Sequence, residues 1–204
     1  MSVSIPDPQV GQPTFAIDIV ARPAPAVAQA LADLQDQIEA FAPAAALHRV
    51  PVSALHLSVY QLVWTRTPQI VVGPHEWAAL EADTLAALRA LSAPYPAFAL
   101  QQAQLRVGDK AIYLQFSPDP ALERLRDDLD HYASSRFPDR NRPQIQHITL
   151  FRYREALPLP PLVQACSALP AWQQTWRIDQ LELVHETAYP LLAGRLVGDW
   201  PLRG

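Results

Sequence analysis

Two stretches, Leu55-His56-Leu57-Ser58-Val59 and Gln146-His147-Ile148-Thr149-Leu150, decide how this sequence is read. Each runs histidine, apolar, hydroxyl, apolar. Both fall in runs of β-formers, Leu55 to Val63 and Ile145 to Tyr153, that are predicted as strands. Strand side chains alternate faces. His56 and Ser58 therefore share one face, with Leu55, Leu57 and Val59 on the other. His147 and Thr149 share a face opposite Ile148 and Leu150. Each strand offers an imidazole and a hydroxyl about 6.5–7 Å apart, while its apolar residues anchor it in a core. One such pattern arises readily by chance. Two copies, each framed by apolar residues and each in a matching half of the chain, point to function.

The surroundings repeat as well. Phe15 to Val20 reads as a strand, broken by Pro23 and Pro25. Val27, Leu31, Leu34, Ile38 and Phe41 then form one helical stripe. Leu47 to Val50 is a short strand ahead of the first histidine strand. Trp77, Leu80, Thr84, Leu88 and Leu91 mark a second helix. Phe98 to Val107 and Ala111 to Phe116 read as a hairpin turning at Gly108-Asp109. Leu122, Leu125, Leu129 and Tyr132 mark a third helix, opened by Pro118-Asp119-Pro120. Leu159 to Leu169 is a short helix, and Trp176 to His185 and Gly194 to Trp200 are closing strands. Strands joined by short turns favour α+β with antiparallel sheets over a doubly wound parallel sheet. Strand, helix, a pair of strands, helix and strands occur in both halves, which suggests two similar lobes in one chain. Residues 1–12 read as a flexible tail, and 13–204 as one bilobal domain.

Composition narrows the function. Of 204 residues half are hydrophobic and 18% charged, so a core can be buried. The formal charge of −4 argues against an extended nucleic-acid surface, which needs many contacts from Lys and Arg to phosphates. It leaves room for one phosphate in a local pocket. The single cysteine, Cys166, excludes an intramolecular disulfide and a cysteine-based zinc site. No glycine-rich dinucleotide or P-loop motif occurs. The opening residues have no basic start followed by an apolar run, and no stretch reads as a membrane span. A cytoplasmic protein, monomeric and without cofactor or metal, is the expectation.

The paired motifs resemble those of the 2H phosphoesterase superfamily, the 2′-5′ RNA ligase and cyclic phosphodiesterase group. The likeness covers roughly residues 15–202 and implies α+β architecture in two pseudo-symmetric lobes, each an antiparallel sheet with helices on its outer face, with the active cleft between them. Phe15 to Val20 is similar to the family's opening strand, His147-Ile-Thr-Leu-Phe-Arg152 to its second motif, and Leu181 to Leu202 to its C-terminal strands. The first motif uses Ser58 where threonine is more frequent. The resemblance implies a metal-independent phosphodiesterase acting on a 2′,3′-cyclic phosphate or 2′-5′ linkage of a nucleotide or RNA end. Reversal would make it a ligase. The alternative is a catalytically idle nucleotide-binding module on the same fold.

The residues suit that chemistry. Histidine, with an unperturbed pKa of about 6.5, can take or give a proton near neutrality. His56 and His147 are thus the candidate acid–base pair. Ser58 and Thr149 can donate hydrogen bonds to the non-bridging phosphate oxygens. Arg152 suits phosphate, but its parity opposes His147 unless the strand ends or bulges before it. Tyr60, Phe151 and Tyr153 share the motif's parity and are expected to line the cleft and stack a base.

Overall fold

The computed structural model describes residues 2–64 and 71–204. The described residues form β1 (Pro13–Ala21), α1 (Pro25–Glu39), β2 (Leu47–Arg49), β3 (Leu57–Val63), α2 (Pro74–Ser92), β4 (Phe98–Leu100), β5 (Gln104–Val107), β6 (Ala111–Phe116), α3 (Pro120–Ser134), β7 (Gln146–Tyr153), α4 (Leu159–Ser167), β8 (Trp176–Ile178), β9 (Gln180–Ala188) and β10 (Ala193–Pro201).

Proline explains where the helices begin. Pro25, Pro74 and Pro120 open α1, α2 and α3, and α4 also carries proline in its first two positions. There the missing N–H costs nothing and the fixed φ is already helical. Asp119 adds a cap to α3: its carboxylate accepts from the backbone N–H groups of Ala121 and Leu122. The stripes expected on α1 and α3 supply most of their buried faces, while α2 buries Trp77, Thr84 and Leu88 and leaves Leu80 exposed. α1 buries Val27, Leu31, Leu34 and Ile38, and α3 buries Leu122, Leu125 and Leu129. Phe41 lies past the end of α1 and is exposed.

An eight-stranded sheet runs β10-β9-β1-β3-β7-β6-β5, with β2 added to β7, and β4 pairs β8 apart from it. The fold is α+β, and the named strands pair antiparallel. The two lobe sheets read from the sequence are halves of this one sheet. They meet where Leu57 of β3 pairs Ile148 of β7. The two histidine motifs therefore sit side by side at its centre. One core underlies both halves, from Ile17 and Leu31 through Leu57 and Ile148 to Trp176. No helix among the described residues is long and apolar enough to cross a membrane.

Three expectations change. Phe98 to Val107 is two strands, because Gln102 takes a left-handed φ of 50° and turns the chain from the β4-β8 pair into the main sheet. Trp176 to His185 likewise divides into β8 and β9. Residues 2–12 are not a loose tail. Ser4 is buried, and backbone bonds run from Ser4 N–H to Leu157, Ile5 N–H to Asp109 and Asp7 N–H to Tyr153. The segment satisfies backbone groups that the end of β7 and the loop after it would otherwise leave open.

Candidate active site

His56, Ser58, His147 and Thr149 all line one cleft of about 300 Å³. His56 sits one residue ahead of β3, not within it, behind the short 3-10 turn Val52–Ala54. Its Nδ1 lies 2.8 Å from the Ala54 carbonyl oxygen. A carbonyl only accepts, so Nδ1 carries the hydrogen and Nε2 is the free nitrogen of the neutral ring. His147 has the equivalent support two residues upstream, a backbone hydrogen bond with Ile145. The Tyr113 ring packs edge-on against it, with centroids 5.3 Å apart.

Both imidazoles are half-buried, and burial pushes each down to about 4. The backbone bonds to Ala54 and Ile145 act in the opposite sense. Arg152 pushes both rings further down, and Arg22 and His147 add to the effect on His56. The cleft thus holds two neutral rings beside a fixed positive charge, an environment that an anion would relieve.

Strand parity fails just beyond each motif, in the same way twice. On β3, Ser58 pairs Val20 and Tyr60 pairs Ile19, so Val59 is an extra residue. On β7, Thr149 pairs Tyr113 and Phe151 pairs Ile112, so Leu150 is extra. Each bulge reverses the alternation that follows it. Gln61 and Arg152, each three residues past the motif hydroxyl, are delivered to the cleft. Tyr60, Phe151 and Tyr153, read by simple parity as cleft residues, turn instead into the core and are fully buried. Tyr60 donates to Asp130 of α3 at 2.5 Å, and Tyr153 to the Gly108 carbonyl at 3.0 Å.

Buried polar side chains from two helices answer the bulges. Arg126 of α3 is fully buried. Its Nε donates to the Val59 carbonyl at 3.0 Å and its Nη2 to the Ser58 carbonyl at 3.0 Å. The same nitrogen reaches the Ile145 carbonyl at 3.4 Å, so one guanidinium ties both motif strands together. Glu123 balances its charge at 2.9 Å. Gln35 of α1 does the corresponding work on β7, donating to the carbonyls of Leu150 and Val50, both at 2.9 Å. Neither residue stands out in sequence, where each is one polar member of an amphipathic helix.

One wall of the cleft is acidic. Asp18 and Glu186 are 2% and 4% exposed and lie on neighbouring strands β1 and β9. Burial, and then the Glu186 charge, hold Asp18 well above the usual carboxylate range. Gln61 donates to Asp18 at 2.8 Å and Asn141 donates to Gln61 at 2.6 Å. The Glu186 carboxylate accepts from the Leu191 N–H at 2.6 Å, pinning the loop that carries Tyr189. Facing this wall, Arg152 has Asp7 at 3.7 Å and lies against the Tyr189 ring, 5.6 Å from its centroid. Asp18 left a trace in the sequence, as the one charge in an otherwise apolar strand. Gln61, Asn141 and Tyr189 left none.

The arginines around the second motif divide by role. Arg142 and Arg152 line the cleft. Arg142 is held by Glu123 and Asp127, Arg140 pairs with Asp130, and Arg136 stacks on Tyr132. Among the described residues, no group of three His, Cys, Asp or Glu is placed to hold a metal ion.

No protein-family model matches the chain, and no curated protein does. Solved structures match its fold. TT0787 of Thermus thermophilus is 19% identical, covering 93% of this chain and 98% of that one, at a TM-score of 0.64. LigT of E. coli, solved with 3′-AMP, is 18% identical over 93% of this chain and 99% of its own, at 0.57. A phosphoesterase is 19% identical over 94% and 100%, also at 0.57. Across nearly its full length, this chain shares its fold with LigT and with that phosphoesterase.

Proposed function

We propose that the chain is a metal-independent phosphoesterase of the 2H superfamily. It hydrolyses a 2′,3′-cyclic phosphate or a 2′-5′ phosphodiester of a nucleotide or RNA end. The observation that carries this reading is the convergence of two His-x-[Ser/Thr] motifs, with matching bulges, on one cleft. The shared fold supports it, as do the ligands of LigT, which has been solved with 3′-AMP, NADP+, ATP and phosphate.

The reacting phosphate lies between the two imidazoles, its non-bridging oxygens taking hydrogen bonds from Ser58, Thr149 and Arg152. One neutral ring removes a proton from water as the water oxygen bonds to phosphorus. The bond from phosphorus to the ribose oxygen breaks on the far side. The second ring, protonated, gives its proton to that oxygen. Negative charge gathering on the phosphate is met by donors already in place, which is where most of the barrier reduction arises. Protonation of the second ring is favoured once the anion is bound, because an adjacent negative charge stabilises imidazolium.

The test is turnover of cyclic mononucleotides, 2′-5′ dinucleotides and RNA ends by the full chain in EDTA, with the product phosphate located. Hydrolysis that persists in EDTA is expected. Activity lost on chelation and restored by a divalent ion would overturn the metal-independent scheme. Nucleotide binding without turnover on the whole panel would leave the binding module in its place.

A further inference from the structure

A second pocket of about 210 Å³ adjoins the cleft, and the two share Val50, Arg152 and Pro190 as a common rim. The bulge at Leu150 creates it. Once parity has reversed, Arg152 and Arg154 follow each other on the cleft side, and both border the new pocket. His48 of β2 pairs directly with Arg152, which puts its ring on the same side. Arg49, the next residue, also borders the pocket, but its guanidinium is engaged by Asp36 at 2.5 Å and Glu39 at 2.7 Å.

The charges in this pocket are not all balanced. Arg152 has Asp7, and Arg49 has its two acids. Arg154 is exposed, and no carboxylate among the described residues pairs with it. Its charge is felt by His48, whose ring is lowered by burial first and by Arg154 next, with Asp7 opposing. A neutral His48 still offers an N–H donor. His147, Thr149 and Arg152 of β7, with Arg154 just past its end, thus form a row of donors. The row runs out of the cleft into a pocket that the chemistry between His56 and His147 does not use.

We propose that His48, Arg152 and Arg154 form a second anion subsite, which holds a further phosphate group of the molecule whose reacting phosphate occupies the cleft. It rests on the reading above that the cleft takes a phosphate. The substrate is then a nucleotide bearing two separated phosphates. The second phosphate belongs either to the 5′ position of the same nucleoside or to the next linkage of a short strand. A guanidinium at the mouth of a pocket, with no carboxylate partner among the described residues, suits such a group, since arginine meets phosphate with a rigid fork of donors.

The test is calorimetric binding to the full chain of three ligands. They are adenosine 3′-monophosphate, adenosine 3′,5′-bisphosphate, and an adenosine dinucleotide with a 3′-phosphate. A charge-assisted bond predicts about tenfold tighter binding of a two-phosphate ligand than of the monophosphate. The ligand that gains identifies the source of the second phosphate. The advantage is expected to vanish in Arg154→Ala and to reverse in Arg154→Glu. Equal binding of all three by the wild type overturns the subsite, and so does an advantage that survives Arg154→Glu. If the advantage and its loss are seen but no cyclic phosphate is turned over, the subsite stands and the catalytic reading fails. Turnover with equal binding has the opposite meaning.

Discussion

Gln61 and Arg152 are counterparts: each lies three residues beyond a motif hydroxyl, and each reaches the cleft because one extra residue, Val59 or Leu150, reverses the strand before it. The cleft is symmetric in construction and asymmetric in charge. Arg152 gives the His147 side a cation, while Gln61 is tied to the buried Asp18 on the His56 side. Arg152→Ala is therefore expected to lower kcat/KM roughly ten- to 100-fold, the worth of a charge-assisted bond to phosphate. Gln61→Leu is expected to cost less. Equal losses in steady-state assays would contradict the asymmetry.

His56→Asn and His147→Asn are each expected to reduce turnover by about 10²–10⁴-fold, the usual value of a positioned acid or base. Ser58→Ala and Thr149→Val should cost less singly, since other donors to the phosphate remain. Circular dichroism should show all four variants folded. A histidine variant that unfolds, yet keeps full specific activity in its folded fraction, would mark these residues as structural.

The two rings predict distinct pH profiles for kcat/KM and kcat. In the free protein both lie near 4, so the form with one ring charged is most abundant there and declines as pH rises. The kcat/KM profile, which reports the free enzyme, should peak on the acid side. Bound phosphate raises the rings, so the bell of kcat should peak nearer neutrality. Coincident optima would show that the anion does not shift them.

The same shifts bear on stability. A ring held near 4 when folded, against about 6.5 when unfolded, binds fewer protons in the folded state across that window. Stability is then full above pH 6.5 and lost as pH falls toward 4, by at most about 1.4 kcal/mol per pH unit for each histidine. Denaturant titrations should show a shallower acid loss in His147→Asn than in the wild type. Asp18 has the opposite sign, because its folded carboxyl is raised. Its contribution is full at acid pH and lost as pH rises through the folded value. Asp18→Asn should therefore raise Tm at pH 8 and not at pH 4. An unchanged Tm at both would argue against the raised carboxyl.

Arg126→Leu is expected to cost about 3 kcal/mol in urea denaturation, because it removes the partner of the half-buried Glu123 and takes its donors from the Ser58 and Val59 carbonyls. Leu129→Ala, a cavity in the same helix, should cost a similar amount. Arg126→Leu alone should also lower the activity of the folded protein, since it holds the Ser58 backbone. Equal specific activity in the two variants would confine Arg126 to a structural role.

Local sequence writes the elements and the motif pair. The helical stripe from Val27 to Ile38, the prolines that open helices and the β-forming runs all follow from periodicity and backbone restriction. They name His56, Ser58, His147 and Thr149, because each of these precedes its bulge and ordinary alternation still holds. Past Val59 and Leu150 the rule of two breaks. A bulge depends on the partner strands β1 and β6, and on Arg126 and Gln35, which satisfy the displaced carbonyls from helices far along the chain. No pattern within the strand encodes those partners. It is the packing of the whole chain that exchanged Tyr60, Phe151 and Tyr153 for Gln61 and Arg152, and that brought Asp18, Glu186 and Tyr189 to the same cleft.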